Sequence, residues 1–157
     1  MVDVLVFSDS LCAGLKLSMP HHVESLPGAM AEDAAELLDA LLKEDIYDIV
    51  VICFGINDLG NGRTTSAVIS DLLNMHDICR QNGITKIIGM TLPKRYDSFN
   101  DLYTSRSSPD VLCNEFFFLV ESKYYKDGLH LTRRGLKKLA ESLEETMQIF
   151  HMPQYKE

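Results

Sequence analysis

Five positions in this chain have groups suited to acyl transfer: Ser10, Gly28, Asn57, Asp127 and His130. A serine hydroxyl is a weak nucleophile until an imidazole takes its proton. The imidazole needs a carboxylate on its other nitrogen, which holds one tautomer and stabilises the imidazolium. Asp127 and His130 stand three apart in the turn-like string "DGLHLT", so both can project to one side. The tetrahedral intermediate carries an oxyanion that needs fixed donors. The Asn57 amide, in "GIND", can supply one, and backbone N–H groups can supply others. Gly28, in "LPGAMAED", is expected to open a helix, with its N–H at an end that suits negative charge. Each residue also has a plainer reading. Ser10 can cap the turn after a strand, Asn57 can form a turn, His130 can be a hydrogen-bonded buried ring, and Gly28 can be a permissive turn residue.

What places these residues together is the order of elements. "VDVLVF" (2–7), "DIVVICF" (48–54) and "TKIIGM" (85–90) are apolar throughout and read as buried strands. "HVESL" reads as a further short strand, and "NEFFFLVE" (114–121) as the end of a helix followed by a short strand. Helical spacing marks 31–43, 64–83 and 132–150, with Gly83 as a stop and Thr132 as an N-cap. The stretch 93–110 is polar and turn-rich. It follows a strand end, and its Arg95, Tyr96, Tyr103 and Arg106 make it a candidate cleft border as well as an ordinary solvated loop. Apolar strands alternating with amphipathic helices imply one α/β domain over 1–157 with a parallel sheet covered on both faces. Ligands of such sheets bind beyond the carboxyl ends of the strands. Ser10, Asn57 and the Asp127–His130 pair all fall on that rim.

"FSDSL", "PGA", "GIND" and "DGLH", in that order, resemble the four blocks of the SGNH, or GDSL, hydrolase family. The likeness runs over nearly the whole chain. It implies a three-layer α/β/α sandwich, flavodoxin-like, with a mainly parallel sheet of about five strands. It implies Ser10 as nucleophile, His130 and Asp127 as its partners, and Gly28 and Asn57 beside the Ser10 N–H as the oxyanion hole. The implied reaction is hydrolysis of a small-molecule carboxylic ester through an acyl-enzyme, without metal or cofactor. The family accepts acetylated sugars, lysophospholipids, lipids and thioesters; a chain free of long insertions favours short acyl groups such as acetyl. One position departs from the pattern. Where the family usually has glycine before the aspartate of the first block, this chain has Ser8, whose side chain would narrow the site or add a hydrogen bond. The rival expectation is a catalytically silent domain that uses the same rim to bind a ligand or protein.

Composition removes other classes. A net charge of −8 repels phosphate backbones, so nucleic-acid binding by the surface at large is not expected. The basic string "RRGLKK" reads as the wet face of a helix, with a binding role as the alternative. No "GxGxxG", "GxxxxGK[ST]" or "GxSxG" string occurs. Cys12, Cys53, Cys79 and Cys113 form no CxxC pair and read as reduced, packed thiols. With no signal-peptide pattern and no membrane-length apolar run, a cytoplasmic protein is expected. His21 and His22 are expected in a loop, His76 as a structural residue on its helix, and Asp9 and Asp58 as loop-bracing carboxylates. Cys12 is expected to pack rather than react.

Overall fold

A computed structural model describes residues 2–152. Five strands form one sheet: β1 (Val4–Ser8), β2 (His21–Ser25), β3 (Ile49–Cys53), β4 (Lys86–Met90) and β5 (Val111–Asn114). Every pairing is parallel and the spatial order is β2-β1-β3-β4-β5. β1 and β3 are buried along their whole length, which is why they lack apolar–polar alternation. The order reverses at β1, so the crevice beyond the ends of β1 and β3 is the place where such a sheet admits a ligand.

The helices are α1 (Ala31–Glu44), α2 (Ile56–Gly60), α3 (Thr65–Gln81), α4 (Asp97–Arg106), α5 (Phe116–Leu119) and α6 (Arg133–Gln148). α1, α3 and α4 lie side by side, as right-handed crossovers require when the chain moves from β2 across the sheet to β5. α6 packs on β5, where the Asn114 amide donates to Ser142 Oγ and Thr146 Oγ1. Glu144 ties α6 to the β1–β2 connection through the Ser18 N–H at 3.1 Å. Thr132 caps α6 by accepting the Gly135 N–H at 3.0 Å, as expected, and Thr64 caps α3 in the same way. α1 has no side-chain cap of its own; its first N–H, on Ala31, donates to both oxygens of Asp58.

Four local expectations need correction. His21 and His22 begin β2 rather than lying in a loop. Stretch 93–110 is not a turn-rich loop, since α4 occupies its middle. Its Tyr103 is fully buried and bonded to His76, so it borders no cleft. The last strand precedes the phenylalanines of "NEFFFLVE" and uses "VLCN" instead; those phenylalanines form α5. β5 is a short edge strand with two half-buried residues, so its apolar signal is weaker than that of the aromatics beside it.

Gly135 shows how tightly α6 is seated. A Cβ there would lie 2.6 Å from the Tyr124 carbonyl oxygen, which already accepts the Thr132 N–H at 2.8 Å. Alanine is the better helix former by about 1 kcal/mol, yet backbone at 2.6 Å cannot step aside. Gly135→Ala is expected to destabilise the protein by about 1–3 kcal/mol in urea unfolding, the range for overpacking; a stability gain would refute this seating.

Candidate active site

Ser10 opens a single 3-10 turn, Ser10–Cys12, immediately beyond β1. The turn is braced from three directions. The Asp9 side chain caps it by accepting the Leu11 N–H at 2.9 Å. Ser25, at the end of β2, donates its hydroxyl to the Asp9 carbonyl at 2.8 Å. Ser8 is fully buried, and its Oγ accepts the Cys12 N–H at 3.3 Å. Of the two effects expected of Ser8, the added hydrogen bond is the one present.

The loop before α6 brings the other groups. Its two sides meet at a bridge between Tyr125 and Leu131, reinforced by Lys126 N–H donating to the His130 carbonyl at 2.9 Å. At its tip Asp127 Oδ1 accepts the N–H groups of Leu129 and His130. Asp127 Oδ2 lies 2.8 Å from His130 Nδ1, and His130 Nε2 lies 3.0 Å from Ser10 Oγ. An ionised carboxylate only accepts, so Nδ1 carries the ring proton and the Nε2 lone pair faces the serine hydroxyl. The His130 N–H, then its side chain, then the Leu129 N–H hold the Asp127 carboxyl down to about 2, so it is ionised at neutral pH. The arrangement can therefore take a proton from Ser10 and hold the resulting imidazolium.

Asn57 sits in α2 with its amide donating to the Ala29 carbonyl at 3.0 Å. A carbonyl can only accept, so the amide nitrogen faces Ala29, and a second amide hydrogen remains. This bond joins the loops after β2 and β3. Gly28 does not open a helix: it lies in a turn closed by Ala29 N–H to the Leu26 carbonyl, three residues before α1. Its φ of +76° is what the turn needs, and a Cβ there would meet nothing within 4 Å. The helix end that was expected to serve Gly28 instead holds Asp58. Among the described residues the Gly28 N–H has no acceptor, so it is available to a ligand.

Two carboxylates beneath the rim differ sharply. Asp58 is fully buried but satisfied by Ala31 and by Arg63 Nη1 at 2.8 Å, and Arg63 also pairs with Asp71. Asp9 is equally buried, and its Oδ2 has no hydrogen-bond partner. Burial pushes the Asp9 carboxyl up to about 7, against the pull of the Leu11 N–H and with added repulsion from Asp58. Arg63 escaped the sequence reading, as did Asn100, whose amide bonds both the N–H and the carbonyl of Leu92 in the loop after β4. Each stands ten positions beyond a strand end, too far along for the strand to mark it. Of the candidate border residues, Arg106 donates to Ser66 at the far end of α4. The start of that stretch, Pro93 and Lys94, lines a hollow of about 480 Å³ with Asp127, Phe117 and Tyr125. Cys12, Cys53 and Cys79 are buried. Among the described residues, no group of three or more His, Cys, Asp or Glu side chains could hold a metal, and no helix is long and apolar enough to cross a membrane.

Asp9 sets a pH dependence. Unfolded, it ionises near its ordinary 3.8; folded, near 7. The folded state is thus unpenalised below pH 4, loses stability as pH rises from 4 to 7, and carries the full penalty above. Asp9→Asn keeps an acceptor for Leu11 and removes the ionisation. Its stability relative to wild type is expected to improve between pH 5 and pH 8 by on the order of 2 kcal/mol in urea unfolding; a difference that does not change with pH would refute the buried acid.

No protein-family model and no curated protein matches the chain. Solved structures do. A GDSL-like lipase from Bacteroides thetaiotaomicron superposes with a TM-score of 0.77 over 94% of this chain and 88% of that one, at 14% identity. The psychrotrophic esterase EstA from Pseudoalteromonas sp., in a structure inhibited by monoethylphosphonate, gives 0.75 over 94% and 97%, at 17% identity. A carbohydrate esterase of family 3 from Talaromyces cellulolyticus gives 0.74 over 96% and 99%, at 16% identity. With its five-stranded parallel sheet between helical layers, the chain has the SGNH, or GDSL, hydrolase fold.

Proposed function

We propose that the protein is a serine esterase of the SGNH family that hydrolyses a small-molecule carboxylic ester. The observation that carries this reading is the unbroken chain from Ser10 Oγ through the His130 ring to Asp127 Oδ2, at 3.0 and 2.8 Å. Proteins of the same fold described as lipase and esterase support it at the level of reaction class. Ser10 attacks the carbonyl carbon while His130 takes its proton. The alkoxide of the tetrahedral intermediate is held by the Ser10 and Gly28 N–H groups and the Asn57 amide. His130 then protonates the leaving alcohol, and an acyl-enzyme remains on Ser10. Water, deprotonated by His130, releases the acid and restores the serine.

The Ser10 turn and the His130 loop lie at an exposed rim, which suits small acyl groups such as acetyl. Buried, unpaired thiols at Cys12, Cys53 and Cys79 suit a cytoplasmic setting. Ser8, the departure from the family pattern, is buried and braces the turn rather than entering the rim.

The reading is tested with p-nitrophenyl acetate. Ser10→Ala is expected to abolish turnover with the circular dichroism spectrum unchanged, and a fluorophosphonate probe to label wild type at Ser10 alone. Asn57→Ala is expected to lower kcat by on the order of a hundredfold, and Asp127→Asn by roughly a thousandfold or more. Turnover near wild type in Ser10→Ala would refute the nucleophile. A folded wild-type protein that takes up no probe would point to the silent binding domain.

A further inference from the structure

A cavity of about 620 Å³ lies against the loop that carries Asp127 and His130. The connection after β1 lends it Lys16, the loop lends Lys126 and Leu131, and the start of α6 lends Arg133, Leu136 and Lys137. Four of its lining residues are cations and none is an acid. Among the described residues, no carboxylate oxygen stands within 4.0 Å of any of those four cationic groups. Several other basic side chains are paired with acids: Arg63 with Asp58 and Asp71, Arg80 with Asp77 and Asp110, Lys43 with Asp39. The nearest acid in sequence, Asp127, is held by Leu129 and His130. A protein of net charge −8 thus gathers unpaired positive charge at one concavity.

Cations around one hollow repel each other, and an entering anion relieves that repulsion. Three ammonium groups and a guanidinium offer more donors than one carboxylate can accept, and they match the three terminal oxygens of a phosphate monoester. The volume exceeds that of a bare phosphate, since a water molecule takes roughly 30 Å³ of liquid volume. Leu131 and Leu136 give the remaining space an apolar wall for a carbon skeleton.

We propose that this cavity holds the phosphate of a phosphorylated small-molecule ester whose acyl group reaches Ser10. The inference rests on the esterase reading above and deepens it. Lys126 and Leu131 flank Asp127 and His130 in the chain, so the catalytic loop is the wall that phosphate site and reaction site share. The "RRGLKK" string, by composition the wet face of a helix, lends Arg133, Leu136 and Lys137 to that site.

The test has two arms. Inorganic phosphate is titrated into the intact protein by calorimetry. Saturable binding is expected, weakened about tenfold or more in Lys16→Gln/Lys137→Gln and unchanged in Lys43→Gln on α1. No binding to wild type, or equal binding in the double variant, overturns the inference whatever the activity on p-nitrophenyl acetate. In the second arm, acetylated glycerol phosphate is compared with acetylated glycerol. A preference of at least about tenfold in kcat/KM is expected, carried by KM and collapsing in the double variant. Equal use of the two esters overturns the substrate assignment. Phosphate binding without hydrolysis of either ester, or of p-nitrophenyl acetate, supports the phosphate site and overturns the esterase reading. Sedimentation with phosphatidic-acid vesicles, without binding of soluble phosphate, overturns the small-molecule assignment in favour of a lipid surface.

Discussion

A single 3.0 Å hydrogen bond joins residues 120 positions apart, and the architecture of the rim exists to keep it made. Ser10 and His130 belong to different connections on the two sides of β1 and α6. Each is fixed by its own local bonds before they meet. On the serine side, Ser8, Asp9 and Ser25 hold a turn of three residues. On the histidine side, the Tyr125–Leu131 bridge and the Thr132 cap set where the loop leaves α6. Because both partners are ordered by other contacts, the hydrogen bond between them costs little further entropy. The lack of a side chain at Gly135 lets α6 approach the loop backbone.

The two buried carboxylates illustrate how the same residue type serves opposite ends. Asp58 has its oxygens satisfied by Arg63 and the first N–H of α1, and it fastens α1 to α2, the short helix that carries Asn57. Asp9 has a single backbone donor and no cation, so burial favours its neutral form. At about 7 the Asp9 carboxyl is only partly ionised at neutral pH, so less than a full negative charge stands directly behind Ser10. Asp127, exposed and triply donated to, is the one carboxylate of the rim that is held ionised by its donors. Placement of charge here follows from donors and burial, not from residue type.

A cationic cavity adjoins the loop that carries Asp127 and His130. Its lysines and arginine come from the connection after β1, the loop before α6 and the first turns of α6, and no one of them is unusual alone. Their convergence beside the Asp127–His130 loop gathers onto one concavity the positive charge that the sequence spreads over separate segments.

Long, uniformly periodic segments were legible from the sequence: β1, β3 and β4 as unbroken apolar runs, and α1, α3 and α6 by their stripes and caps. So was the shared edge at which Ser10 and His130 meet, because parallel strands oblige the loops after them to lie together. The short string "DGLHLT" also declared its local geometry, since a carboxylate three residues before a histidine can close on its ring. What the sequence could not say concerned residues whose environment is set by distant parts of the chain. Gly28 proved to be in a turn because Asp58, thirty positions on, took the helix end. "VLCN" became the edge strand because β4 and α6 offered it partners, against the louder apolar signal of α5. Tyr103 went to the core, where its hydroxyl finds a partner in His76 Nε2 at 2.8 Å. Local periodicity determines elements; which polar group meets which is decided only when the chain closes, because a hydrogen bond depends on distance in space and not along the backbone.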